Sequence, residues 1–279
     1  MSIKLIAESG ATKCDWCLIS KGKTRKITTQ GISPYFLSKD QIIQLLTKEL
    51  LPKLGKVIIK EVHFYGTGLS NVNNRKIIRN VLKQLFPGAT RSVETDLLAA
   101  ARALCGRKKG IASILGTGSN SCYYNGKKIV KNSPGIGYIL GDEGSGAYLG
   151  KKLVQYYLYD TLDKPLKKAF ETRFNTNRAV LLENVYKKPL ANRYLASFAV
   201  FLAENRGHYM IENILEDGLH AFFFHHLLTY KESHLFPIHF TGSIAFGFKD
   251  VLQELCNHYN LTLGQVMKTP LKGLIQYHS

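Results

Sequence analysis

The hydrophobic and polar positions in the first third of the chain predict short strands followed by helices. Short apolar runs separated by glycine or small polar residues are typical of strands joined by tight turns. We therefore predict strands at residues 3–8, 13–20, 25–30, 57–65 and 91–94. Apolar residues that recur every third or fourth position predict helices at 71–86 and 96–104. Ser38 is followed by Gln41 at capping-box spacing, so another helix is predicted to begin there.

The same pattern starts again after Gly106, with two strands joined by the turn GTGSN at 116–120 and a hairpin signal at Asn125-Gly126. A glycine-bearing turn between strands thus occurs at 8–13 and again at 115–120, which is a weak internal repeat. Residues 145–230 are predicted to be mostly helical, with breaks near Pro165, Pro189 and Gly207. A strand at 237–241 and a helix at 249–258 are predicted to follow. A last helix is predicted with Pro270 at its first position.

Composition places the chain among globular proteins, because 45% of its 279 residues are apolar and 21% are charged. No apolar run has the roughly 20 residues of a membrane-spanning helix, and the start MSIKLIAESG lacks the features of a signal peptide. The five cysteines are odd in number and scattered, unlike a disulfide framework. A cytoplasmic protein without a membrane partner is expected.

The chain is strongly basic, with 38 Lys and Arg against 20 Asp and Glu and a formal charge of +18. Such a charge favours anionic partners, including nucleotides. The basic residues form short clusters at predicted turns and surfaces, without the interleaved aromatic residues of a nucleic-acid-binding motif. We therefore expect a solvated basic surface and no specific nucleic-acid partner.

Three turns rich in Gly, Ser and Thr directly follow predicted strands, at 8–13, 116–120 and 241–245. Small residues let backbone N–H groups and hydroxyls approach an anion closely, which is one way to hold phosphates. None of the three matches the Walker or dinucleotide-binding fingerprint, and each alone is typical of an ordinary tight turn. Their joint occurrence indicates an anion-binding site.

Two acidic positions are candidates for chemistry. Asp96 stands where a strand passes into a helix, so the positive helix end would keep its carboxylate ionised, although Thr95 or Asp96 could simply cap the helix. The segment 135–146 has five glycines around Asp142-Glu143, which indicates a loop lying against a ligand or a plain structural loop.

The motifs ESGATKCDW, ETDLLAA, ILGTGSN, GIGYILGDEGSG and FTGSIAF occur in an order that resembles the N-acetylglucosamine kinases and the related BadF/BadG/BcrA/BcrD-type ATPases. The resemblance runs from residue 3 to about 250. It implies an α/β fold of two ribonuclease H-like lobes, as in actin-like ATPases, with ATP in the cleft between them. The lobes are expected at 1–105 and 106–268, with a helical insertion at 145–230 in the second and the C-terminal helix 269–279 as a candidate addition to the first.

The resemblance also implies roles for individual residues. The catalytic base is Asp96, and Glu8 is the residue that holds Mg²⁺ through water. The ATP phosphates are assigned to Gly10, Thr12, Lys13, Gly116, Thr117 and Gly118, and the adenosine to Thr241, Gly242 and Ser243. The sugar is assigned to Ser33, Thr67, Gly68, Asn120 and Asp142.

Two positions depart from the family pattern. The first loop usually begins Asp-Gly-Gly, whereas this chain has Glu8-Ser9-Gly10, so a longer carboxylate stands where the family helps to hold hydrated Mg²⁺. The loop after the third strand usually offers Asn-Pro to the sugar, whereas this chain has Ser33-Pro34. A hydroxyl therefore replaces an amide at the predicted sugar site.

The function implied is the ATP- and Mg²⁺-dependent phosphorylation of an amino sugar, foremost N-acetylglucosamine to its 6-phosphate, by a homodimer. One alternative is an ATPase of the dehydratase- or reductase-activator type, which needs an iron–sulfur cluster between subunits, with Cys105 and Cys122 as the plausible pair. Another is a non-catalytic sugar- or nucleotide-binding homologue. Cys14 and Cys17 would point to opposite faces of a strand, which argues against a redox or zinc motif.

Overall fold

A computed structural model describes residues 3–10, 13–20 and 22–279. Thr12, one of the predicted phosphate-binding residues, lies outside the described residues. The chain divides into two compact units, which we call the N-unit (residues 1–106 and 270–279) and the C-unit (residues 107–269). Each unit contains one five-stranded sheet, and each is described below by itself.

The N-unit sheet has the strand order β3-β2-β1-β4-β5. Its strands are β1 (Lys4–Ser9), β2 (Lys13–Ser20), β3 (Lys23–Gln30), β4 (Glu61–Gly66) and β5 (Thr90–Thr95). The first three form an antiparallel meander, and β4 and β5 add to β1 in parallel. The carboxyl ends of β1, β4 and β5 therefore meet at one edge, where Glu8 lies near the end of β1 and Thr67 and Asp96 directly follow β4 and β5.

Helices cover both faces of the N-unit sheet. They are α1 (Lys39–Glu49), the short α2 (Leu51–Leu54), α3 (Val72–Leu85), α4 (Asp96–Cys105) and the C-terminal helix (Leu271–His278). The capping box at Ser38 is confirmed, because Ser38 and Gln41 each accept the other's backbone N–H. Cys14 belongs to the core under α1 and α3, whereas Cys17 packs with α4 and the C-terminal helix. The prediction that these two cysteines face opposite ways is thus confirmed.

The C-unit sheet has the strand order β10-β9-β6-β7-β8. Its strands are β6 (Lys109–Leu115), β7 (Ser119–Asn125), β8 (Ile129–Ser133), β9 (Ile238–Thr241) and β10 (Leu263–Met267). Here too a three-stranded antiparallel meander is extended by two parallel strands on the side of its first strand. The weak repeat in the sequence therefore corresponds to a repeated sheet topology.

Most of the C-unit outside its sheet is helical. The helices are α5 (Gly137–Leu140), α6 (Gly146–Leu158), α7 (Lys164–Phe174), α8 (Arg178–Tyr186), α9 (Ala191–Ser197), α10 (Ala199–Glu204), α11 (Tyr209–Phe222), α12 (Ser243–Gly247) and α13 (Lys249–His258). A π-helical turn at Phe223–Leu227 and a 3₁₀ turn at Lys231–His234 follow α11. No helix within the described ranges combines the length and apolar character needed to cross a membrane.

The break predicted near Pro165 is confirmed at residues 159–163, between α6 and α7, and Pro165 itself stands in the first turn of α7, where a missing N–H costs nothing. The structure corrects two other details of the predicted elements. Strand β10 was not predicted, because none of its residues is fully buried and its sequence LGQVM lacks a clear alternation. Pro270 is the capping residue of the last helix, which begins at Leu271.

Candidate active site

Asp96 is the first residue of α4 and does not cap that helix. The N-cap is Thr95, whose hydroxyl accepts the N–H of Leu98 at 3.2 Å. The Asp96 carboxylate accepts the N–H of Leu97 at 2.8 Å and is hydrogen-bonded by the Thr67 side chain. Since Thr95 does the capping, one predicted explanation for Asp96 is removed, and its carboxylate retains acceptor capacity.

The electrostatics of Asp96 differ from the simple expectation of a carboxylate kept ionised by a helix end. Burial raises the pKa of Asp96 to about 6, and the hydrogen bonds from Leu97 and Thr67 offset only part of that rise. The group is still mostly ionised at pH 7. A carboxylate with a pKa near the working pH is better suited to accept a proton than an ordinary exposed aspartate.

Glu8 lies near the end of β1, opposite Asp15 of β2. Burial is the main cause that raises the pKa of Glu8 to about 7, and the charges of Asp15 and Asp96 raise it further. Lys13 opposes this shift, but its ammonium already contacts the Asp15 carboxylate at 2.6 Å. Three carboxylates therefore interact here with the Lys13 ammonium, and an added cation would stabilise this arrangement.

The donor set at Glu8 fits a hydrated magnesium ion. Within the described residues, no group of three or more His, Cys, Asp or Glu side chains is arranged to hold a metal directly. Magnesium usually keeps several waters and is bound through one or two carboxylates together with substrate phosphates. Glu8 acting through water, as the resemblance implies, matches that chemistry.

Ser9 joins two N-unit loops, one of which reaches Asp96. Thr67 donates its N–H to the Ser9 carbonyl at 3.2 Å, and the Ser9 hydroxyl is hydrogen-bonded to the backbone of Ile32. Ser33, next along the chain, is only 2% exposed, and its Oγ has no hydrogen-bond partner in the described part of the chain. Thr67 thus meets Asp96 directly, whereas the loop of Ser33 is tied to the Thr67 loop through Ser9, a link that the sequence did not indicate.

Gly68, also predicted to bind the sugar, has a φ of +76° and lies under the ring of Tyr35. A Cβ at position 68 would stand 2.5 Å from the Tyr35 Cε2, so another residue there would displace the ring and would also strain the backbone at this φ. Tyr35 is 62% exposed despite this contact. The exposed aromatic pair Tyr35-Phe36 after Pro34 is the sequence signal that could have added this ring to the candidate site.

The first loop of the N-unit is closed by its own backbone. Gly10 donates its N–H to the carbonyl of Lys13 at 3.0 Å, which completes the turn between β1 and β2. The Lys13 side chain is 58% exposed and pairs with Asp15. The predicted role of both residues at the ATP phosphates stays a prediction.

In the C-unit, two of the predicted nucleotide-binding turns are neighbours. The turns follow β6 and β9, which run in parallel with Ile114 opposite Thr241. Gly242 has a φ of +121°, and a Cβ there would lie 2.1 Å from the carbonyl oxygen of Leu115. Only glycine therefore lets the TGS turn at 241–243 approach the GTGSN turn so closely.

Buried hydroxyls without partners surround these turns. Ser119 Oγ and Thr241 Oγ1 are buried, and neither has a hydrogen-bond partner in the part of the chain that the structure describes. Gly116 has open space where a side chain would project. Buried polar groups in proteins normally have partners, so this combination of orphan hydroxyls and open space fits a polar ligand such as a nucleotide.

Asp142 lies against the GTGSN turn rather than standing apart from it. Its carboxylate accepts backbone N–H groups of Ser119 and Gly137, and a Cβ at Gly118 would lie 2.8 Å from its Oδ2. Burial is the main cause that raises the pKa of Asp142. The residue has a φ of +57°, an uncommon backbone conformation for aspartate that places it as part of a constrained loop.

Glu143, beside Asp142, contacts a histidine that the sequence analysis did not connect with this loop. His226 Nε2 lies 3.3 Å from the Glu143 carboxylate, and its ring stacks on Phe222. His226 belongs to the π-helical turn and is 3% exposed. Only the tertiary structure links the two residues, because 83 positions separate them.

The amide of Asn120 has one orientation. Its Oδ1 accepts the backbone N–H of Ser121 at 2.9 Å and the side-chain Nδ2 of Asn132 at 2.8 Å. A backbone N–H can only donate, so the oxygen must face Ser121 and the amide N–H₂ must face away. Asn120 can therefore donate hydrogen bonds to a ligand.

No protein-family model matches the chain, and no curated protein sequence matches it either. Among solved structures, a protein from Porphyromonas gingivalis assigned as a candidate N-acetylglucosamine kinase is 39% identical, with a TM-score of 0.94 over 100% of this chain and 98% of that one. The chain belongs to the N-acetylglucosamine kinase family.

Two further structures share the fold at lower identity. A candidate N-acetylglucosamine kinase from Chromobacterium violaceum is 18% identical, with a TM-score of 0.73 over 100% of this chain and 99% of that one. A candidate N-acetylmannosamine kinase from Listeria monocytogenes is 13% identical, with a TM-score of 0.55 over 99% and 100%. The predicted family and the predicted α/β, actin-like ATPase fold of the N-acetylglucosamine kinases are thus confirmed.

Proposed function

We propose that the protein is an ATP-dependent amino-sugar kinase that phosphorylates N-acetylglucosamine at its 6-hydroxyl. The observation that carries the proposal is the Asp96 carboxylate, with its pKa of about 6 and its hydrogen bond from Thr67, in the same unit as the orphan hydroxyl of Ser33. This site combines a proton acceptor with hydroxyl-binding groups in one unit. The family relationship to the protein from P. gingivalis supports the choice of substrate.

Asp96 acts as the general base. Its carboxylate accepts the proton of the attacking sugar hydroxyl, while the bonds from Leu97 and Thr67 hold the carboxylate in place. A pKa of about 6 keeps Asp96 deprotonated at pH 7 and makes kcat/KM rise as the pH passes through about 6. Glu8 would hold a magnesium ion through water, and the bound ion would supply charge neutralisation to the phosphates.

The C-unit turns bind the nucleotide and part of the sugar. The GTGSN backbone at Gly116, Thr117 and Gly118 holds phosphates, and the TGS turn at 241–243 holds the adenosine. Gly10, Thr12 and Lys13 contact phosphates from the N-unit. Asn120 donates to a sugar oxygen through its outward amide, and Asp142 accepts from sugar hydroxyls with the lone pairs that Ser119 and Gly137 leave free.

The decisive experiment measures ADP release with a panel of sugars, followed by identification of the phosphorylated carbon. N-acetylglucosamine should give the highest kcat/KM, and N-acetylmannosamine and glucose should give lower values. ADP release that is independent of every sugar would instead favour an ATPase. No ADP release with any sugar would favour a non-catalytic homologue.

The activator-type ATPase has less support from the structure. A cluster shared between subunits needs thiols at the protein surface. Cys105 and Cys122 are only 7% and 0% exposed, so neither thiol meets this requirement. Burial also raises the pKa of Cys105 to about 12, which disfavours the thiolate that binds iron.

We further propose a cytoplasmic homodimer, and size-exclusion chromatography with light scattering tests the oligomeric state.

A further inference from the structure

Ser9 is a fully buried residue whose hydroxyl joins two loops of the N-unit. Its Oγ donates to the carbonyl of Ile32 at 3.0 Å and accepts the N–H of the same residue at 2.9 Å. The carbonyl of Ser9 accepts the N–H of Thr67 at 3.2 Å. One residue at the end of β1 therefore holds both the loop that carries Ser33 and the loop that carries Thr67.

The contacts around Ser9 lead directly to the candidate acceptor site. Ile32 precedes Ser33, whose buried Oγ has no partner within the described residues. Thr67 hydrogen-bonds the Asp96 carboxylate, and Gly68 next to it supports the Tyr35 ring. Ser33 therefore directly follows a residue bonded to Ser9, Thr67 is itself bonded to Ser9, and Gly68 directly follows Thr67.

We propose that Ser9 is a positioning residue for the sugar, and that its hydroxyl sets the reach of Ser33. The proposal rests on the kinase function proposed above. A serine side chain is shorter than that of asparagine. The backbone that carries Ser33 must therefore lie closer to the sugar for the hydroxyl to reach it. The Ser9 hydroxyl supplies that restraint, since a glycine at position 9 would leave the Ile32 N–H and carbonyl without these two bonds.

The test compares Ser9→Ala with Ser233→Ala as a matched control. Ser233 is 1% exposed, and its hydroxyl donates to the carbonyl of Leu227 at 2.6 Å, so this control also removes a buried hydroxyl bonded to backbone, but in the C-unit. The measurements are the Kd of N-acetylglucosamine without ATP, the KM values for sugar and ATP, and hydrogen exchange at the Ile32 amide.

In Ser9→Ala, we expect the sugar Kd and KM to rise about five- to twentyfold, the KM for ATP to stay within twofold, and exchange at Ile32 to quicken about tenfold or more. In Ser233→Ala, all of these values should stay near those of the parent protein. Ser9→Thr keeps the hydroxyl and should restore part of the sugar affinity. If the added methyl group prevents folding, the comparison of the two alanine variants decides.

Several outcomes would overturn the inference: a sugar Kd within twofold of the parent in Ser9→Ala, an equal rise in the KM for ATP, or unchanged exchange at Ile32. Failure of the kinase proposal is distinguishable from these outcomes. A parent protein that binds N-acetylglucosamine without phosphorylating it would contradict the kinase, while the Kd and exchange measurements would still judge Ser9. A parent protein that binds no amino sugar would overturn both.

Discussion

The N-unit and the C-unit share one sheet topology but differ in what stands at the ends of the parallel strands. In the N-unit, carboxylates follow or end these strands, namely Glu8 on β1 and Asp96 after β5. In the C-unit, β6 and β9 take the places of β1 and β4 in the sheet, and both lead into glycine turns with buried neutral hydroxyls. The same scaffold therefore supports two kinds of chemistry.

The electrostatic difference follows from burial. Glu8 and Asp96 lose hydration without gaining a full complement of cations, so burial raises both pKa values. The hydroxyls of Ser119 and Thr241 are neutral and can be buried without titrating. The N-unit is thus suited to accept protons and bind a cation, and the C-unit is suited to bind polar groups.

The overall charge is also uneven. The N-unit has 18 Lys and Arg against 7 Asp and Glu, a net +11, whereas the larger C-unit has 20 against 13, a net +7. Glu8 and Asp96 therefore belong to the more basic unit. A positive field of this kind attracts anionic substrates to their site.

The largest effect should come from Asp96→Asn, which removes the proton acceptor and retains the shape of the side chain. We expect kcat to fall by about two to four orders of magnitude, with the Kd for ATP near normal. Glu94→Gln, which neutralises another half-buried carboxylate two residues earlier, is the control and should keep most of the activity. Turnover of Asp96→Asn within threefold of the parent would remove Asp96 from this role.

A second variant tests the C-unit turn. In Gly242→Ala, the new Cβ would meet the Leu115 carbonyl, and the backbone would be strained at φ +121°. We therefore expect the free energy of unfolding to fall by about 1–3 kcal/mol and the KM for ATP to rise at least tenfold. Gly247→Ala, where the added Cβ meets open space, should change neither value. Equal KM values for ATP in the two variants would separate this turn from nucleotide binding.

Glu8 tests how strongly the N-unit depends on a cation. Glu8→Gln should raise the Mg²⁺ concentration for half-maximal activity by about five- to tenfold, because it removes the charge that holds the hydrated ion. Glu8→Asp keeps the charge and should be tolerated. An unchanged Mg²⁺ titration in both variants would leave Glu8 as a strand residue without a metal role.

The smallest effect concerns the pH dependence of stability. In the N-unit, the rings of His63 and His278 stack at 3.8 Å, and burial, helped by Arg102 and Lys4, lowers the pKa of His278 to about 3. A base whose folded pKa lies below its unfolded value of about 6.5 stabilises the fold at high pH and loses that contribution as the pH falls from about 6.5 toward 3.

The buried carboxylates act in the opposite direction, because Glu8 and Asp96 have raised pKa values and take up protons more readily in the folded state. The histidine contribution is therefore measured as a difference. Between pH 7 and pH 5, the parent protein should lose about 1 kcal/mol relative to His278→Gln in urea unfolding, because solvent screens this partly exposed ring and weakens the full effect. Parallel pH profiles for the two proteins would show that His278 does not titrate in this way.

Local sequence patterns were sufficient for most of the secondary structure and for the choice of candidate residues. Strand alternation, the capping box at Ser38 and the glycine turns depend on neighbours a few positions apart, so they can be recognised without a fold. The order of the motifs also indicated the family before the sheet pairing was known. Strand β10 escaped detection because its pairing with β9, and not its own pattern, makes it a strand.

Long-range contacts decided the properties of the site. Thr67 approaches Asp96 because β4 and β5 pair in parallel, and burial at that edge raises the carboxylate pKa. The bonds from Ser9 to Ile32 span 23 positions, and the Asn120 amide oxygen accepts a further hydrogen bond from Asn132 across a strand pair. The sequence by itself determined which groups are present, whereas only the tertiary structure decided their burial, partners and protonation, because these depend on residues distant along the chain.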